Sequence, residues 1–576
     1  MVFRACLAVL CLCWIPMAVA VQVEVRVTGV EGEALSNVRA YLAIERETKN
    51  PDVLESRVRE LNARAPREIK RALEPFGYYK ATVRASLTAE GDKLVADYRI
   101  DPGPAVRIAA MHVDIAGPGA RNPEMKDVVK KLPLHRGDVL RHADYDQAKQ
   151  LLQRQARGLG YLDADLDRHQ VRVQLQPYQA TVTLRLNTGP RYTFGPVTFK
   201  QTTYTVREKL LYRYVPFKQG DDFSTAKLLQ LYSALSDSGY FSQVDVEPHR
   251  REARGTAVPV VVTLSPRRRQ RYKIGVGYGT DTGARLTFQF WRLLNRRGHV
   301  GTADVRLSQY LNSATVGYTI PLQHPTTEQL TFEAGLKNED TKSRISRIWQ
   351  IGASRTGTRG SWREVMGLHY EVERYELATG GSSSKLLYPS VTWTRMRADD
   401  PIYPTRGNRL QLDLKGSSAA MLSDVSFVQA HAAGKWVRSF GTGNQVIARA
   451  ELGATWTSSF DKLPASKRFF AGGDQSVRGY GYEQLGPTDA TGAVVGGRYL
   501  AVGSLEYDRH LFGKWSGALF YDVGNAFNNA NVHFARGAGF GVRWRSPLGP
   551  VRVDFAWALS QPGTPFRLHV TVGPDL

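Results

Sequence analysis

Arg468-Phe469-Phe470-Ala471-Gly472-Gly473-Asp474-Gln475-Ser476-Val477-Arg478-Gly479-Tyr480 lies in the longest interruption of a C-terminal half that otherwise alternates apolar and polar residues. Between Gln270 and Gly573 the alternation falls into sixteen stretches, broken by Gly, Asn, Asp and Ser turns. In the last stretch Phe566, Leu568, Val570 and Val572 share one face, and Arg567, His569 and Thr571 share the other. About 19 residues are available per strand with its connection, enough for membrane strands of roughly 9 to 11 residues plus turns. Residues 267–576 are therefore expected to form a transmembrane antiparallel β-barrel of sixteen strands. An even number of strands returns the chain to its starting side. The connection from Ser459 to Tyr499 follows the eleventh strand, so parity makes it extracellular.

Upstream, a Gly-Tyr pair recurs as Phe76-Gly77-Tyr78-Tyr79, Leu159-Gly160-Tyr161-Leu162 and Ser238-Gly239-Tyr240-Phe241. The spacing defines a unit of about 80 residues that occurs three times. Each pair closes an amphipathic stretch such as Tyr145, Ala148, Leu151, Leu152 and Ala156, which predicts a helix with the glycine as its C-cap. Two alternating strands follow, for instance Leu166 to Leu175 and Ala180 to Leu186. Asp101-Pro102-Gly103-Pro104 and Asn187-Thr188-Gly189-Pro190 are turns that punctuate the joints between units. This α+β order, β-α-α-β-β, resembles polypeptide-transport-associated (POTRA) domains, which would occupy residues 21–103, 104–189 and 190–266.

Composition narrows the function classes. Residues 1–20 combine Arg4, an apolar stretch from Ala5 to Val19 and the triplet Ala18-Val19-Ala20, the layout of a cleavable signal peptide. Cys6, Cys11 and Cys13 all fall inside it, so the remaining chain has no means of disulfide formation, thiolate catalysis or Cys-type zinc binding. The net charge of +23 is also a footprint of nucleic-acid binding. In an exported protein it points instead to lipid phosphate headgroups of the outer membrane and to acidic protein surfaces, with no nucleic acid as partner. Enzyme signatures are missing: there is no HExxH, no GxxxxGK[ST] and no GxSxG. Gly537-Ala538-Gly539-Phe540-Gly541 superficially matches a nucleotide loop, but it lies inside an alternating strand with no helix after it.

The opening stretch, with its FFAGG and VRGY, resembles the conserved loop of the outer-membrane assembly superfamily that includes BamA, the two-partner secretion transporters and TamA. The likeness extends to Gly503-Ser504-Leu505-Glu506-Tyr507, to Phe520-Tyr521-Asp522-Val523-Gly524, to Pro404-Thr405-Arg406-Gly407 and to the run from Gly541 to Ala556. Three repeat units and the ending Gly573-Pro574-Asp575-Leu576 are similar to the TamA branch. That resemblance implies a factor that inserts or secretes unfolded autotransporters and other outer-membrane clients. It also implies a TamB-like partner, a long periplasmic protein anchored in the inner membrane that docks on the first unit. No cofactor is implied. In the family, the arginine matching Arg478 contacts acidic residues at the two strand motifs, so Val477, Arg478, Gly479 and Tyr480 would form a lumenal motif partnered by Glu506, Asp522 or both. On charge alone, a guanidinium can fold back into a polar lumen only if its charge is matched there; otherwise Arg478 is an exposed loop residue. Gly479 would permit a tight turn beside it.

A second candidate is the seam where the first and last strands meet. Gly275, Gly277 and Gly279 alternate with Ile274, Val276 and Tyr278, leaving one face of the first strand without side chains. The last strand, carrying Phe566, Leu568, Val570 and Val572, is short and bounded by Pro565 and Gly573-Pro574. A weakly closed seam can expose strand edges that template an added strand. Alternatively, the glycine face makes room for a bulky lumenal loop. The expected function is outer-membrane protein assembly or translocation. The competing readings are a two-partner secretion pore exporting one exoprotein and a passive porin.

Overall fold

The computed structural model describes residues 21–572 except 51, 52, 92, 282, 378, 379, 401, 547 and 548. The expected signal peptide, residues 1–20, lies outside the described residues, as does Gly573-Pro574. Three α+β repeats come first. The sheet of the first repeat contains β1 (Gln22–Thr28), β2 (Thr82–Glu90) and β3 (Lys93–Asp101) in the order β1-β3-β2, with β1 parallel and β2 antiparallel to β3. Helix Glu55–Leu73 buries Val58, Leu61, Ala65, Ile69 and Ala72, a stripe at helical spacing that packs with Leu94, Ala96 and Tyr98 of the sheet.

The second repeat has β4 (Arg107–Ala116), β5 (Asp165–Leu175) and β6 (Tyr178–Asn187) in the order β4-β6-β5, and helix His142–Gly158 buries Ala148, Leu152 and Ala156. The third has β7 (Thr193–Gln201), β8 (Phe241–Pro248) and β9 (Ala257–Pro266) in the order β7-β9-β8. The recurring glycines have a common cause. Gly77, Gly160 and Gly239 all take positive φ, 89°, 94° and 76°, where the chain leaves its helical segment for the strands. At Gly160 an added Cβ would lie 2.6 Å from the Phe223 carbonyl oxygen.

Sixteen strands then close into a barrel: β10 (Gln270–Gly279), β11 (Gly283–Leu293), β12 (Val300–Ser308), β13 (Leu311–Pro321), β14 (Gln329–Asp340), β15 (Ile345–Arg359), β16 (Trp362–Leu377), β17 (Gly380–Ala398), β18 (Arg406–Ser417), β19 (Phe427–Phe440), β20 (Asn444–Thr457), β21 (Tyr499–Phe512), β22 (Trp515–Phe527), β23 (Ala535–Ser546), β24 (Gly549–Ala558) and β25 (Phe566–Val572). Each strand is antiparallel to its sequence neighbour, as in the pairing of Gln270 with Arg292 through Gly279 with Gly283. The expected fold class, α+β repeats followed by a sixteen-stranded antiparallel barrel, therefore holds.

Alternation alone does not separate a membrane barrel from a soluble one, but burial does. Ile274 and Val276 are 72% and 81% exposed, and Phe288, Val316, Phe332, Trp349, Leu452, Leu505 and Leu519 are also exposed. Glu371, Glu373, Glu506, Asp522, Arg543 and Asp554, all on strands, are buried. This apolar-out, charged-in arrangement would be costly in water and is what lipid requires. No described helix is long and apolar enough to cross a membrane.

The chain separates into two compact units, one comprising Phe199–Pro216, Gln230–Val246 and Val262–Leu576, the other the remaining residues. Within the barrel-containing unit, segments of the third repeat join the strand connections. Arg207 N–H donates to the Arg296 carbonyl at 2.8 Å, and the Tyr240 hydroxyl to the Gly298 carbonyl at 2.8 Å.

Candidate functional site

The connection between β20 and β21 turns back into the lumen, because its anchors are side chains on the inward register of the barrel wall. Leu505 and Tyr521 are exposed on the outer face, so Glu506 and Asp522, each the next residue along, point inward. Arg478 Nε donates to Asp522 Oδ2 at 2.7 Å, Nη2 to Asp522 Oδ1 at 2.9 Å and Nη1 to Glu506 Oε2 at 2.6 Å. Asp554 on β24 adds a contact to Nη1 at 3.3 Å, and the guanidinium carbon lies 3.5 Å from the centroid of the Phe520 ring. Arg543 on β23 closes the network, reaching Glu506 Oε1 at 2.7 Å and Asp554 Oδ1 at 2.6 Å. Arg449 on β20 adds a third guanidinium 3.9 Å from Asp522 Oδ1, so three guanidinium groups meet three carboxylates in one cluster, the compensation that charge out of water requires.

Neighbouring motif residues are fixed by packing. Gly479 has φ +95°, and an added Cβ would lie 2.8 Å from the Trp557 carbonyl carbon on β24. Val477 and Tyr480 are buried with Leu500, Val502, Ala526 and Ala558, and the Tyr480 hydroxyl donates to the Arg536 carbonyl at 3.2 Å. Room for the loop comes from glycines on the wall. A Cβ on Gly537 would sit 1.9 Å from the Arg478 carbonyl oxygen, and Gly539 and Gly541 face Phe555 and Asp554 as tightly. The Gly537-Ala538-Gly539-Phe540-Gly541 run is therefore a bare lumenal stripe in β23 against which the arginine turn rests.

At the seam, Gly275, Gly277 and Gly279 lie on β10, and Phe566, Leu568, Val570 and Val572 on β25. Among the described residues, β10 and β25 share one register pair, Gly279 with Thr571. On its other side β25 runs against β24 from Val551 with Val572 to Trp557 with Phe566. Gly275 and Gly277 of β10 are not forced by close packing: a Cβ on Gly277 would lie 3.1 Å from the end of the flexible Arg285 side chain, and one on Gly275 would make an ordinary 3.8 Å contact with Thr287.

Residues 264–574 match the Omp85 superfamily domain. The chain belongs to the Omp85 superfamily. Residues 24–102 of this Omp85 protein match a POTRA domain described as TamA domain 1, and residues 192–267 match a POTRA domain described as a surface antigen variable number repeat. It is an outer-membrane protein with POTRA domains on the periplasmic side. It is 24% identical over 516 residues to outer membrane protein assembly factor BamA of Nitratidesulfovibrio vulgaris, covering 84% of this chain and 64% of that one. It is 22% identical to BamA of Neorickettsia risticii, covering 66% of this chain and 54% of the relative. The chain thus spans between about half and two thirds of the curated relatives it matches. BamA from Haemophilus ducreyi lacking POTRA domains 1–3 superposes with a TM-score of 0.65 at 15% identity, over 81% of this chain and 99% of that one, a likeness of fold.

Further anchors of the Omp85 loop are not evident from the motifs. Lys467 Nζ reaches Glu371 Oε2 on β16 at 2.8 Å, where Tyr388 also donates at 3.0 Å, and Ser466 N–H reaches Glu373 at 3.2 Å. Arg344, in the turn after β14, bridges Glu339 at 2.8 Å and Glu483 of the loop at 2.9 Å. Burial pushes the Glu483 carboxyl up, with Arg344 opposing. In the turn after β10, burial and the adjacent Asp474 push Asp281 up to about 7. The signal for the wall residues was present: Glu371 and Glu373, two apart on one strand, must share a face, and charge on a lumenal face needs a partner.

Proposed function

We propose that this protein assembles or translocates outer-membrane clients. The edge strands of the POTRA sheets receive an unfolded barrel or autotransporter segment by strand addition, and the segment enters the membrane through the β10–β25 seam. The observation that carries the reading is the unequal pairing of β25 among the described residues, where it runs along β24 from Phe566 to Val572 but meets β10 at Gly279 with Thr571. A strand held on one side can exchange its other partner for an incoming edge. The buried Arg478 cluster keeps the loop seated, which stoppers the lumen and directs clients to the wall.

The TamA branch is the finer reading, with a TamB-like, inner-membrane-anchored partner docking on the first POTRA domain. The match of residues 24–102 to a TamA-type first POTRA domain supports it. Deletion of the protein followed by quantitative outer-membrane proteomics tests the function: specific loss of barrel or autotransporter clients is expected, and an unchanged outer-membrane proteome would overturn it. Co-purification of a TamB-like protein with full-length chain, lost on removing residues 21–103, tests the partner.

A further inference from the structure

Among the described residues, backbone pairing contributes little to closing the extracellular end of the seam. After the pair of Gly279 and Thr571, Thr280 N–H donates to the Val570 carbonyl at 3.0 Å and Val570 N–H to Thr280 Oγ1 at 2.6 Å. Immediately beyond, three side chains from three separate elements meet. Asp281 lies in the turn between β10 and β11, Asp474 in the lumenal loop and His569 on β25, and they are 8%, 9% and 1% exposed.

Their bonds join the elements in a chain. Asp474 N–H donates to Asp281 Oδ2, and Asp281 N–H donates to Asp474 Oδ2 at 3.3 Å, so turn and loop hold each other reciprocally. His569 Nδ1 lies against Asp474 Oδ1, and His569 Nε2 accepts the Gly479 N–H at 2.9 Å. A ring nitrogen that accepts carries no proton, so the proton of the neutral imidazole is on Nδ1 and is donated to Asp474. Both nitrogens of His569 are thereby used on the loop.

The three groups also bring ligand atoms within 4.8 Å of one another, and a divalent cation is the obvious competing occupant. A cation at Nδ1 would need the proton moved to Nε2, where it would oppose the Gly479 N–H. The hydrogen-bonded arrangement is therefore the one the geometry favours.

We propose that Asp281, Asp474 and His569 form a latch on the extracellular side of the seam. The final strand cannot leave the first hairpin while the Val477 to Tyr480 turn is seated. His569 is its positioning residue: withdrawing β25 breaks the bond to Asp474 and the bond to Gly479 together, coupling seam opening to release of the loop. The latch is built to be releasable, because two carboxylates face each other and Asp281 Oδ1 has no hydrogen-bond partner. Its use in client entry rests on the function proposed above; its effect on the seam does not.

The test is hydrogen exchange on the full-length protein in phosphatidylcholine–phosphatidylglycerol vesicles, reading peptides that contain Thr280 and Val570. His569→Ala should speed exchange at both by roughly tenfold or more, the loss expected when buried hydrogen bonds to a charged group are removed. Amides of β15 to β17 should be unchanged. Asp281→Asn keeps an oxygen for Asp474 N–H, offers an N–H to the Asp474 carboxylate and should slow exchange, which carries the test if His569→Ala does not fold. Unchanged seam exchange in His569→Ala, acceleration spread evenly round the barrel, or unchanged or faster exchange in Asp281→Asn would overturn the latch. So would faster exchange of the unmodified protein in EDTA, which would mean a metal clasp. Faster seam exchange with normal client assembly in His569→Ala would leave the latch standing and count against the seam as client route.

Discussion

The side chain and the main chain of Arg478 converge on one carboxylate oxygen: Nε and the backbone N–H both donate to Asp522 Oδ2, at 2.7 and 3.0 Å. With Nη2 on Oδ1 the pairing is bidentate, so Asp522 fixes the path of the loop as well as its charge. A lysine at 478 could supply the charge but not the planar fork.

Arg478→Ala should leave Glu506 and Asp554 to Arg543 and Asp522 to the more distant Arg449 at 3.9 Å. Losing one partner of a buried ion cluster costs about 3–5 kcal/mol, which should unseat the loop. The barrel should still insert and migrate with heat modifiability, while client levels in the outer membrane fall. Arg478→Lys should not restore them. Normal client assembly in Arg478→Ala would refute a working role for the motif.

Glycines on the wall make a contrasting pair. A side chain at Gly537 would meet the Arg478 carbonyl oxygen at 1.9 Å, a backbone atom that can yield only if the turn moves. At Gly277 it would meet the end of the flexible Arg285 side chain at 3.1 Å. Gly537→Val should therefore open the loop to trypsin added outside intact cells, and Gly277→Val should not. Equal protection of both variants would show that the stripe in β23 is not what seats the loop.

The barrel was legible because lipid on one face and a polar lumen on the other force strict alternation, visible in Phe566 to Val572. The repeats were legible because Gly77, Gly160 and Gly239 each need positive φ at the same point of the unit. Parity also tells that Glu506, Asp522, Glu371 and Glu373 share the lumenal side. What parity cannot give is which charge meets which. Lys467 is close in sequence to Arg478, yet it binds β16 while Arg478 binds β21, β22 and β24. Those pairings depend on how some forty irregular residues fold, for which no periodicity exists. The glycine run in β23 shows the same limit: its strand context was readable, and its purpose needed the Arg478 turn lying on it.

The β16 anchor gives a prediction about loop seating independent of the arginine. Lys467→Met leaves the buried Glu371 carboxylate without its cation, with the Tyr388 hydroxyl at 3.0 Å and the Ser466 hydroxyl at 3.4 Å as hydrogen-bond partners, a loss on the order of 3 kcal/mol. Replacing the pair together, Lys467→Met with Glu371→Leu, removes the unpaired charge and should recover most of it, since buried pairs exchanged for apolar side chains are often neutral. Denaturant unfolding of the unmodified protein, Lys467→Met, Glu371→Leu and the double substitution, a double-mutant cycle, reads the coupling. Additive losses would mean that Lys467 and Glu371 do not act as a pair.

Closure of the barrel should weaken as pH rises through neutrality. Asp281 is raised from the ordinary 3.8 to about 7 by burial and by the charge of Asp474. The groups that face it are Asp474, Tyr482 and Glu483 of the loop, His569 and Arg567 of β25, and Arg285 of the first hairpin, with Tyr310, Lys342, Glu451 and Arg552 lining the adjoining cavities. Because the folded state holds this proton more tightly than the unfolded chain, unfolding releases it, and stability falls with rising pH wherever the folded form binds more protons. The contribution is complete below pH 3.8 and is lost as pH rises through about 7. Heat-modifiability midpoints should accordingly decline between pH 5 and pH 8, a window set by that carboxyl. Asp281→Asn cannot ionise, so its profile should be flatter and its midpoint at the alkaline end higher than that of the unmodified protein. Superimposable profiles for the two would mean that the Asp281 carboxyl does not carry the pH dependence of barrel closure.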